Sequence, residues 1–342
     1  MSDEKIGDPA DQPSVNVYND FDHADDNVIQ TFQLDSSSLR GRCVRLGSVL
    51  DDILDAHEYP NPVAHLVAET ATLALLLSSM LKYEGIFTLQ TKGDGPVSML
   101  VADVTSAGDV RACAYYDPER LEAAREKLSA LKVTEDSQNH LAQYLGKGYI
   151  AFTVDQGGHM ERYQGIVELQ GASLVDCVQH YFNQSEQIGT AIKMAVGQRD
   201  DKWRAGGMML QHMPDEGGHQ SEHVNSEAGI SNLNEDDWRR TMIFMDSCTE
   251  DEFLDPDLHS NVLLMRLFHE EGVRVYEPQT VQKNCRCSRE KVEHVIATLQ
   301  DEDLDYMNKD GEIIVTCEFC STDYIFDFDV VKAERKAAKK NT

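Results

Sequence analysis

The 342-residue chain is short of positive charge: 31 Lys and Arg stand against 60 Asp and Glu, a formal net charge of −29. A protein that grips nucleic acid neutralises phosphates with Lys and Arg, so this balance argues against DNA or RNA as the main partner. It argues against an anionic membrane surface for the same reason. The first residues, MSDEKIGDPADQPS, lack a basic region followed by an apolar one and so carry no secretory signal, which points to a cytoplasmic protein. One apolar stretch, Val63 to Leu81, has the length of a membrane span. It contains His65, Glu69 and several Ser and Thr, and no Lys/Arg cluster precedes it, so it reads as a buried helix.

Most catalytic signatures are missing as well. There is no G-x-G-x-x-G; Gly93-Asp94-Gly95 runs into Pro96 and fits a turn. Lys147 precedes Gly148 and not Ser or Thr, so there is no phosphate loop and no expected need for ATP. No G-x-S-x-G elbow occurs. His65 with Glu69, and His269-Glu270-Glu271, both lack the second His of a zincin helix. His212, His219 and His223 read as solvated residues around a polar segment, and with 60 acids in the chain carboxylate pairs carry no information. No active site is recognisable.

What is present is enough apolar chain for a core. At 41 % hydrophobic and 27 % charged the protein is globular, and its length suggests about two domains. Residues 1–27 hold eight acids, one Lys and no apolar period, and read as a disordered acidic leader. Thr31 to Leu34 alternates like a strand, and Leu46 to Leu54 repeats at helical spacing. Pro62 opens the long apolar helix, which Gly85 ends. Strands are expected at Ile86–Gln90, Val97–Val104 and Val110–Tyr115, with a charged helix from Asp117 to about Leu131. A second hairpin, Tyr149–Val154 with Tyr163–Leu169, turns at Gly157-Gly158. A helix from Ser173 to about Gln187 precedes strands near Ala191–Val196 and Met208–His212. Helices mixed with antiparallel hairpins, without βαβ alternation, make the fold α+β.

After Pro214 the composition changes. Asp215 to Asp237 is polar and almost free of apolar residues, a linker or insertion. Trp238–Met245 and Leu258–Phe268 look helical, separated by the acidic run Glu250-Asp251-Glu252, and both carry wide apolar faces that need a cover. The chain closes with a cysteine-bearing module and a Lys-rich helix, Val330 to Lys340.

The eight cysteines fall into two groups. Cys43, Cys113, Cys177 and Cys248 stand alone among apolar or mixed neighbours and read as small buried hydrophobes. Cys285-Arg286-Cys287 and Cys317-Glu318-Phe319-Cys320 form two close pairs with 29 residues between them, the spacing of a four-thiolate metal site. Zinc is the natural occupant, because it takes four thiolates tetrahedrally and the segment offers no other ligand type; an iron–sulfur cluster is the competitor. Around the thiols, Ser288 caps a helix over Arg289–Leu299, Asp310-Gly311 turns, and Glu312–Thr316 is a strand delivering Cys317. The first pair is C-x-C, not the C-x-x-C of an ordinary ribbon. Only a cation keeps four thiolates together, so an oxidant can release the metal by forming local disulfides. A static zinc clip has the same spacing, and both readings stay open.

Several ordered blocks together resemble the heat shock protein 33 family, the redox-regulated 33 kDa chaperonins of bacteria. They are His57-Glu58-Tyr59-Pro60-Asn61-Pro62-Val63, Gly93-Asp94-Gly95-Pro96, Glu161-Arg162-Tyr163-Gln164-Gly165-Ile166-Val167, Tyr181-Phe182 before Ser185-Glu186-Gln187, and Ala205-Gly206-Gly207-Met208-Met209-Leu210-Gln211. The most specific block runs from Arg266-Leu267-Phe268-His269-Glu270-Glu271 through Val275-Tyr276 to Cys285-Arg286-Cys287-Ser288-Arg289-Glu290, and closes with Gly311-Glu312-Ile313 and the second cysteine pair. The resemblance spans roughly residues 28–330. It implies an ATP-independent holdase for unfolding client proteins, not an enzyme, inactive when reduced and zinc-bound. It also implies Cys285, Cys287, Cys317 and Cys320 as ligands of one Zn2+, and oxidation to Cys285–Cys287 and Cys317–Cys320 disulfides with loss of zinc. Unfolding of the linker and a homodimeric active form are further implications. The expected domains are the leader 1–27, an α+β client-binding domain 28–213, a polar insertion and helical linker 214–283, and a zinc-binding redox-switch domain with a basic tail 284–342.

Two other classes compete. A zinc-ribbon nucleic-acid protein needs a basic face, for which Arg286, Arg289 and Lys291 qualify while Glu290, Glu293 and the acids from Asp301 to Asp305 oppose it. An enzyme with a purely structural zinc needs convergent polar groups in a pocket.

Overall fold

The computed structural model describes residues 26–36, 39–130, 141–157, 163–182, 185, 189–212 and 235–340. Most of the acidic leader, the far ends of the helices expected to reach Leu131 and Gln187, the tip of the Gly157-Gly158 turn and most of the polar insertion lie outside them. Two compact units emerge: one takes the chain up to Leu54 and from Tyr59 to Lys283, the other Asp55–Glu58 and everything from Asn284.

The first unit contains, in order, β1 (Val28–Leu34), β2 (Leu39–Leu46), α1 (Ser48–Leu54), α2 (Asn61–Ser78), β3 (Ile86–Gly93), β4 (Val97–Thr105), β5 (Asp109–Tyr116), α3 (Pro118–Ala130), β6 (Gly148–Asp155), β7 (Tyr163–Glu168), α4 (Leu174–Tyr181), β8 (Thr190–Arg199) and β9 (Lys202–His212). It continues with α5 (Glu235–Asp246), α6 (Glu250–Leu254), α7 (Ser260–Phe268), β10 (Val273–Val275), β11 (Gln279–Thr280) and β12 (Gln282–Lys283). One sheet runs β10-β1-β2-β9-β8, with β11 also on β1; the other runs β12-β5-β4-β3-β6-β7. The pairings are antiparallel except β12 on β5, so the α+β expectation holds.

The long apolar helix is α2, and it lies between the sheets, against β4 and β5 on one side and β2 and β9 on the other. Cover on both sides is why the segment is apolar all round without being a membrane span. No helix among the described residues is long and apolar enough to cross a membrane. Its buried hydroxyls are satisfied internally: Thr70 and Thr72 donate to the carbonyls of Leu66 and Ala68 at 2.7 and 2.8 Å. The helix stops at Ser78, seven residues before Gly85, because Ser78 and Ser79 donate to the carbonyls of Leu75 and Leu76 and Arg42 Nε donates to that of Ser79.

Three other differences from the sequence reading have local causes. β2 is a full central strand although Arg40, Gly41 and Arg42 break its alternation, because both of its faces are covered. β8 and β9 form one long hairpin in place of two short strands, turning at Asp200 and Asp201, whose φ angles of 51° and 59° suit a primed turn. Gly206 and Gly207 sit inside β9 because helices crowd both sides. A Cβ at Gly206 would meet the Phe253 carbonyl oxygen of α6 at 2.6 Å, and one at Gly207 would meet Leu76 Cδ1 of α2 at 2.9 Å. Finally, Glu250–Leu254 is a helix, α6, with Thr249 and Glu252 forming a capping box.

Helices α5 to α7, the expected linker, lie on the sheet face opposite α2. Phe32, Leu34, Leu39, Cys43, Met208 and Leu210 of the sheet meet Met245, Phe253, Leu263, Leu264 and Phe268 of the helices and Cys248 between α5 and α6. The polar ties are as specific as the packing. Arg45, 1 % exposed, donates through Nη1 to the Glu252 carbonyl at 3.4 Å and through Nη2 to that of Asp255, closing the C-terminus of α6.

The second unit comprises α8 (Arg289–Thr298), α9 (Asp301–Met307), β13 (Asn308–Lys309), β14 (Glu312–Thr316), β15 (Asp323–Asp327) and α10 (Phe328–Lys340), the strands ordered β13-β14-β15. Its fully buried apolar set is Ile296, Leu304, Ile313 and Phe326. A core of that size does not hold a fold by itself; modules this small need a metal or cross-links.

Candidate metal centre

Two backbone devices bring the thiols together. Cys287 ends the segment that enters α8, and the neighbouring Ser288 fixes it by accepting from the Lys291 N–H at the helix start, 3.3 Å. Cys317 leaves β14 into a tight turn: Ser321 N–H donates to the Cys317 carbonyl at 2.8 Å and Cys317 N–H to that of Thr322 at 2.9 Å. The turn is completed by Ser321, whose φ is 53°. Cys320 therefore points back toward Cys317.

Cys285 Sγ lies 3.6 Å from Cys317 Sγ, Cys287 Sγ lies 3.5 Å from Cys320 Sγ, and all four sulfurs fall within 4.8 Å of one another. A tetrahedral ion with Zn–S of about 2.3 Å needs sulfurs about 3.8 Å apart, so the donor set fits zinc in number, type and spacing. All four thiols are half-buried, whereas Cys43, Cys113, Cys177 and Cys248 are buried within strands, helices and core of the first unit.

The electrostatics split the thiols: two are held protonated and one is eased toward the thiolate. Burial pushes the Cys317 thiol up to about 12 and Cys287 up as well. Burial acts on Cys320 in the same direction, but hydrogen bonds from the side chain and backbone of Thr322 outweigh it and bring that thiol down to about 6. Four sulfurs this close cannot all ionise without a compensating positive charge. Backbone N–H groups of Phe319 and Cys320 face Cys317 Sγ, and two hydroxyls complete the surroundings: Thr322 Oγ1 is 3.3 Å from Cys320 Sγ, and Tyr324 O–H donates to Cys287 Sγ at 3.1 Å. Thr322 lies two residues from its sulfur, but Tyr324, 37 residues from Cys287, is not marked by spacing.

The basic residues near the thiols are occupied in structure. Arg289 stacks over the Phe326 ring at 4.3 Å and pairs with Glu293, while Lys291 Nζ donates to the Arg286 carbonyl. The acidic run opens α9, where carboxylates suit the positive helix end, and α10 answers it: Arg335 reaches Asp301 at 3.3 Å and Lys332 pairs with Asp305. The described residues of this module thus present paired charge and not the basic face a nucleic-acid ribbon needs. In the first unit, a groove at Pro96, Ser98, Tyr115, Asp117 and Arg120 gathers no catalytic set. Asp117 there caps α3, and Arg120 donates to the Asp94 carbonyl.

Comparison with known proteins agrees with this arrangement. The family model described as Hsp33 protein matches residues 27–327. The 33 kDa chaperonin of Caulobacter vibrioides is 37 % identical over 307 residues, covering 88 % of this chain and 95 % of the relative. That of Escherichia coli O7:K1 is 33 % identical over 312 residues, covering 91 % and 96 %. The crystal structure of the Thermotoga maritima 33 kDa chaperonin shares the fold, with a TM-score of 0.72 at 21 % identity over 92 % of this chain and 100 % of that one. With a match along nearly its whole length and a four-cysteine cluster at its C-terminal end, the chain belongs to the Hsp33 family, a family of chaperones and not of enzymes.

Proposed function

We propose that this chaperone is a redox-regulated, ATP-independent holdase for unfolding client proteins in the bacterial cytoplasm. In the reduced, inactive form Cys285, Cys287, Cys317 and Cys320 hold one Zn2+. An oxidant converts them to Cys285–Cys287 and Cys317–Cys320 disulfides, four electrons leave the thiolates, and the zinc is released. The observation that carries this reading is the convergence of four half-buried sulfurs within 4.8 Å in a unit whose buried core is four residues.

The energetics follow from that size. Structural zinc contributes on the order of 10–16 kcal/mol to a small module, more than four buried apolar side chains at about 1.5–3 kcal/mol each can replace against chain entropy. Loss of the ion unfolds the switch domain, residues 284–342, and with it the order of the segment that leads back to α7. Release of α5–α7 then bares the sheet face of Phe32, Leu34, Leu39, Met208 and Leu210, an apolar surface suited to non-native chains. The net charge of −29 keeps such complexes soluble, and the oxidised form acts as a homodimer. Residues 28–213 are the client-binding domain and 214–283 the linker.

The test is suppression of aggregation of a denatured client without ATP, by reduced and by peroxide-treated protein, with zinc and free thiols followed on the same samples. The expected result is activity only after oxidation, with one zinc lost and four thiols consumed. Peptide mapping decides the pairing: Cys285–Cys317 and Cys287–Cys320 bridges in place of the local pairs would refute the proposed connectivity. Equal activity in both states would refute redox control.

A further inference from the structure

Tyr324 lies on β15 opposite Val315 of β14, its ring packed against the small core of the second unit. The ring position fixes the direction of its hydroxyl, which donates to Cys287 Sγ at 3.1 Å. The sulfur is fixed from its own side by the capped start of α8. We propose that Tyr324 is a positioning residue that restrains the reactivity of Cys287 toward peroxides, so that the first cysteine pair is oxidised more slowly than bare thiolates would be. The inference rests on the reading of the four thiols as a zinc site.

The chemistry is that of a thiolate nucleophile. Cys287 sulfur attacks one oxygen of hydrogen peroxide; an S–O bond forms, the O–O bond breaks, and hydroxide leaves with the electron pair. Cys285 thiolate then attacks the sulfenic sulfur; the S–S bond forms, the S–O bond breaks and a second hydroxide departs. Two thiolates are oxidised, one peroxide is reduced, and the zinc loses two ligands. An O–H donor withdraws electron density from the attacking lone pairs and must weaken as the sulfur gives them to oxygen, so it raises the barrier of the first step. Hydrogen bonds around metal ligands tune them in this way. The arrangement has a counterpart in the second pair, where Thr322 Oγ1 approaches Cys320 Sγ at 3.3 Å. Tyr324 acts on the first pair only.

The experiment compares zinc-loaded, reduced wild-type protein with Tyr324→Phe. Zinc release by hydrogen peroxide is followed with a chromophoric chelator, and samples quenched early are mapped for each disulfide. The expected result is a Cys285–Cys287 rate raised about three- to tenfold, the equivalent of one modest hydrogen bond, with the initial Cys317–Cys320 rate unchanged. An unchanged first-pair rate, or equal acceleration of both pairs, overturns the proposal, the latter because it reports a loosened module. If Tyr324→Phe does not hold zinc, 3-fluorotyrosine at position 324 keeps the ring and strengthens the donor. The first pair must then oxidise more slowly, and an equal or faster rate is a refutation. Wild-type protein that retains zinc under peroxide would sink the switch itself. The effect of Tyr324 would still be read from alkylation of Cys287 by iodoacetamide, which must be faster in Tyr324→Phe.

Discussion

Glu271, 1 % exposed in the 3-10 turn His269–Glu271 that follows α7, is held by Arg240 of α5, whose Nη2 donates to Oε2 at 3.1 Å while Nε donates to Oε1. Ser36, in the turn between β1 and β2, donates to the same carboxylate, and its N–H donates to the Glu271 carbonyl at 3.0 Å. One buried anion thus joins two of the covering helices to the sheet beneath them. The hydrogen bonds from Arg240, which outweigh burial, hold this carboxyl below the usual carboxylate range. A folded-state pKa below the unfolded one gives stability that is present above about 4.5 and lost as the pH falls through the folded value. Acidifying the reduced protein below that point is expected to loosen α5 and α7 first. The fluorescence of Trp238 in α5 and amide exchange at Ser36 will report it, and Glu271→Gln should remove the pH step while lowering the melting temperature by a few degrees.

Glu69 works in the opposite direction. It lies on α2 between the two sheets, where burial pushes its carboxyl up to about 7. The folded form therefore prefers the proton, so stability is greatest below about 4.5 and declines as the pH rises through 7. Glu69→Gln keeps an acceptor for the Leu174 N–H and removes the charge. It is expected to raise the melting temperature at pH 8 by several degrees and to leave it unchanged at pH 4.5. A gain of equal size at both values would contradict a raised carboxyl.

Alanine at Gly206 and at Gly207 should separate two kinds of damage. At Gly206 the new Cβ meets the backbone oxygen of Phe253, which cannot turn aside, so α6 must lift. At Gly207 it meets the end of the Leu76 side chain, which can give by a small rotation. Gly206→Ala is expected to raise holdase activity of the reduced protein and to speed amide exchange in α5–α7. Gly207→Ala should cost about 1–3 kcal/mol of global stability with no basal activity. Both are read from denaturant melts alongside client aggregation.

Removal of the metal should spare the core of the first unit. Chelation of the reduced protein, or Cys317→Ser, is expected to abolish dispersed NMR signals from residues 289–327 while those of β3 to β6 persist. Zinc content measured on the same sample must fall from one to near zero. Persistence of the signals of Ile313 and Phe326 without metal would show that the small core holds the module unaided.

How much of this was legible in the sequence depended on whether the cause of a feature was local. The two cysteine pairs stood out because closely spaced thiols serve few purposes. α2 was legible from its uninterrupted apolar run and Pro62. β2 was not, because its arginines serve other elements: Arg42 meets the end of α2, and Arg45 the end of α6. The glycines of β9 hid a central strand for the same reason, since their smallness answers to Phe253 and Leu76 and not to neighbours in sequence. The acidic run at Glu250 read as a break between helices and the one at Asp301 only as charge opposing a nucleic-acid face, yet each opens a helix. Tyr324 carried no signal, because its hydroxyl matters only once β15 lies beside the first cysteine pair.

Gly206 and Gly207, adjacent in β9, look out on opposite sides of one sheet. The strand is in effect a bulkhead between two separately packed compartments, with α6 against one side and α2 against the other. Uncovering a broad greasy surface therefore does not require melting the body that carries it. On the proposed release of α5–α7, the half of the molecule that must remember its shape is never asked to forget it.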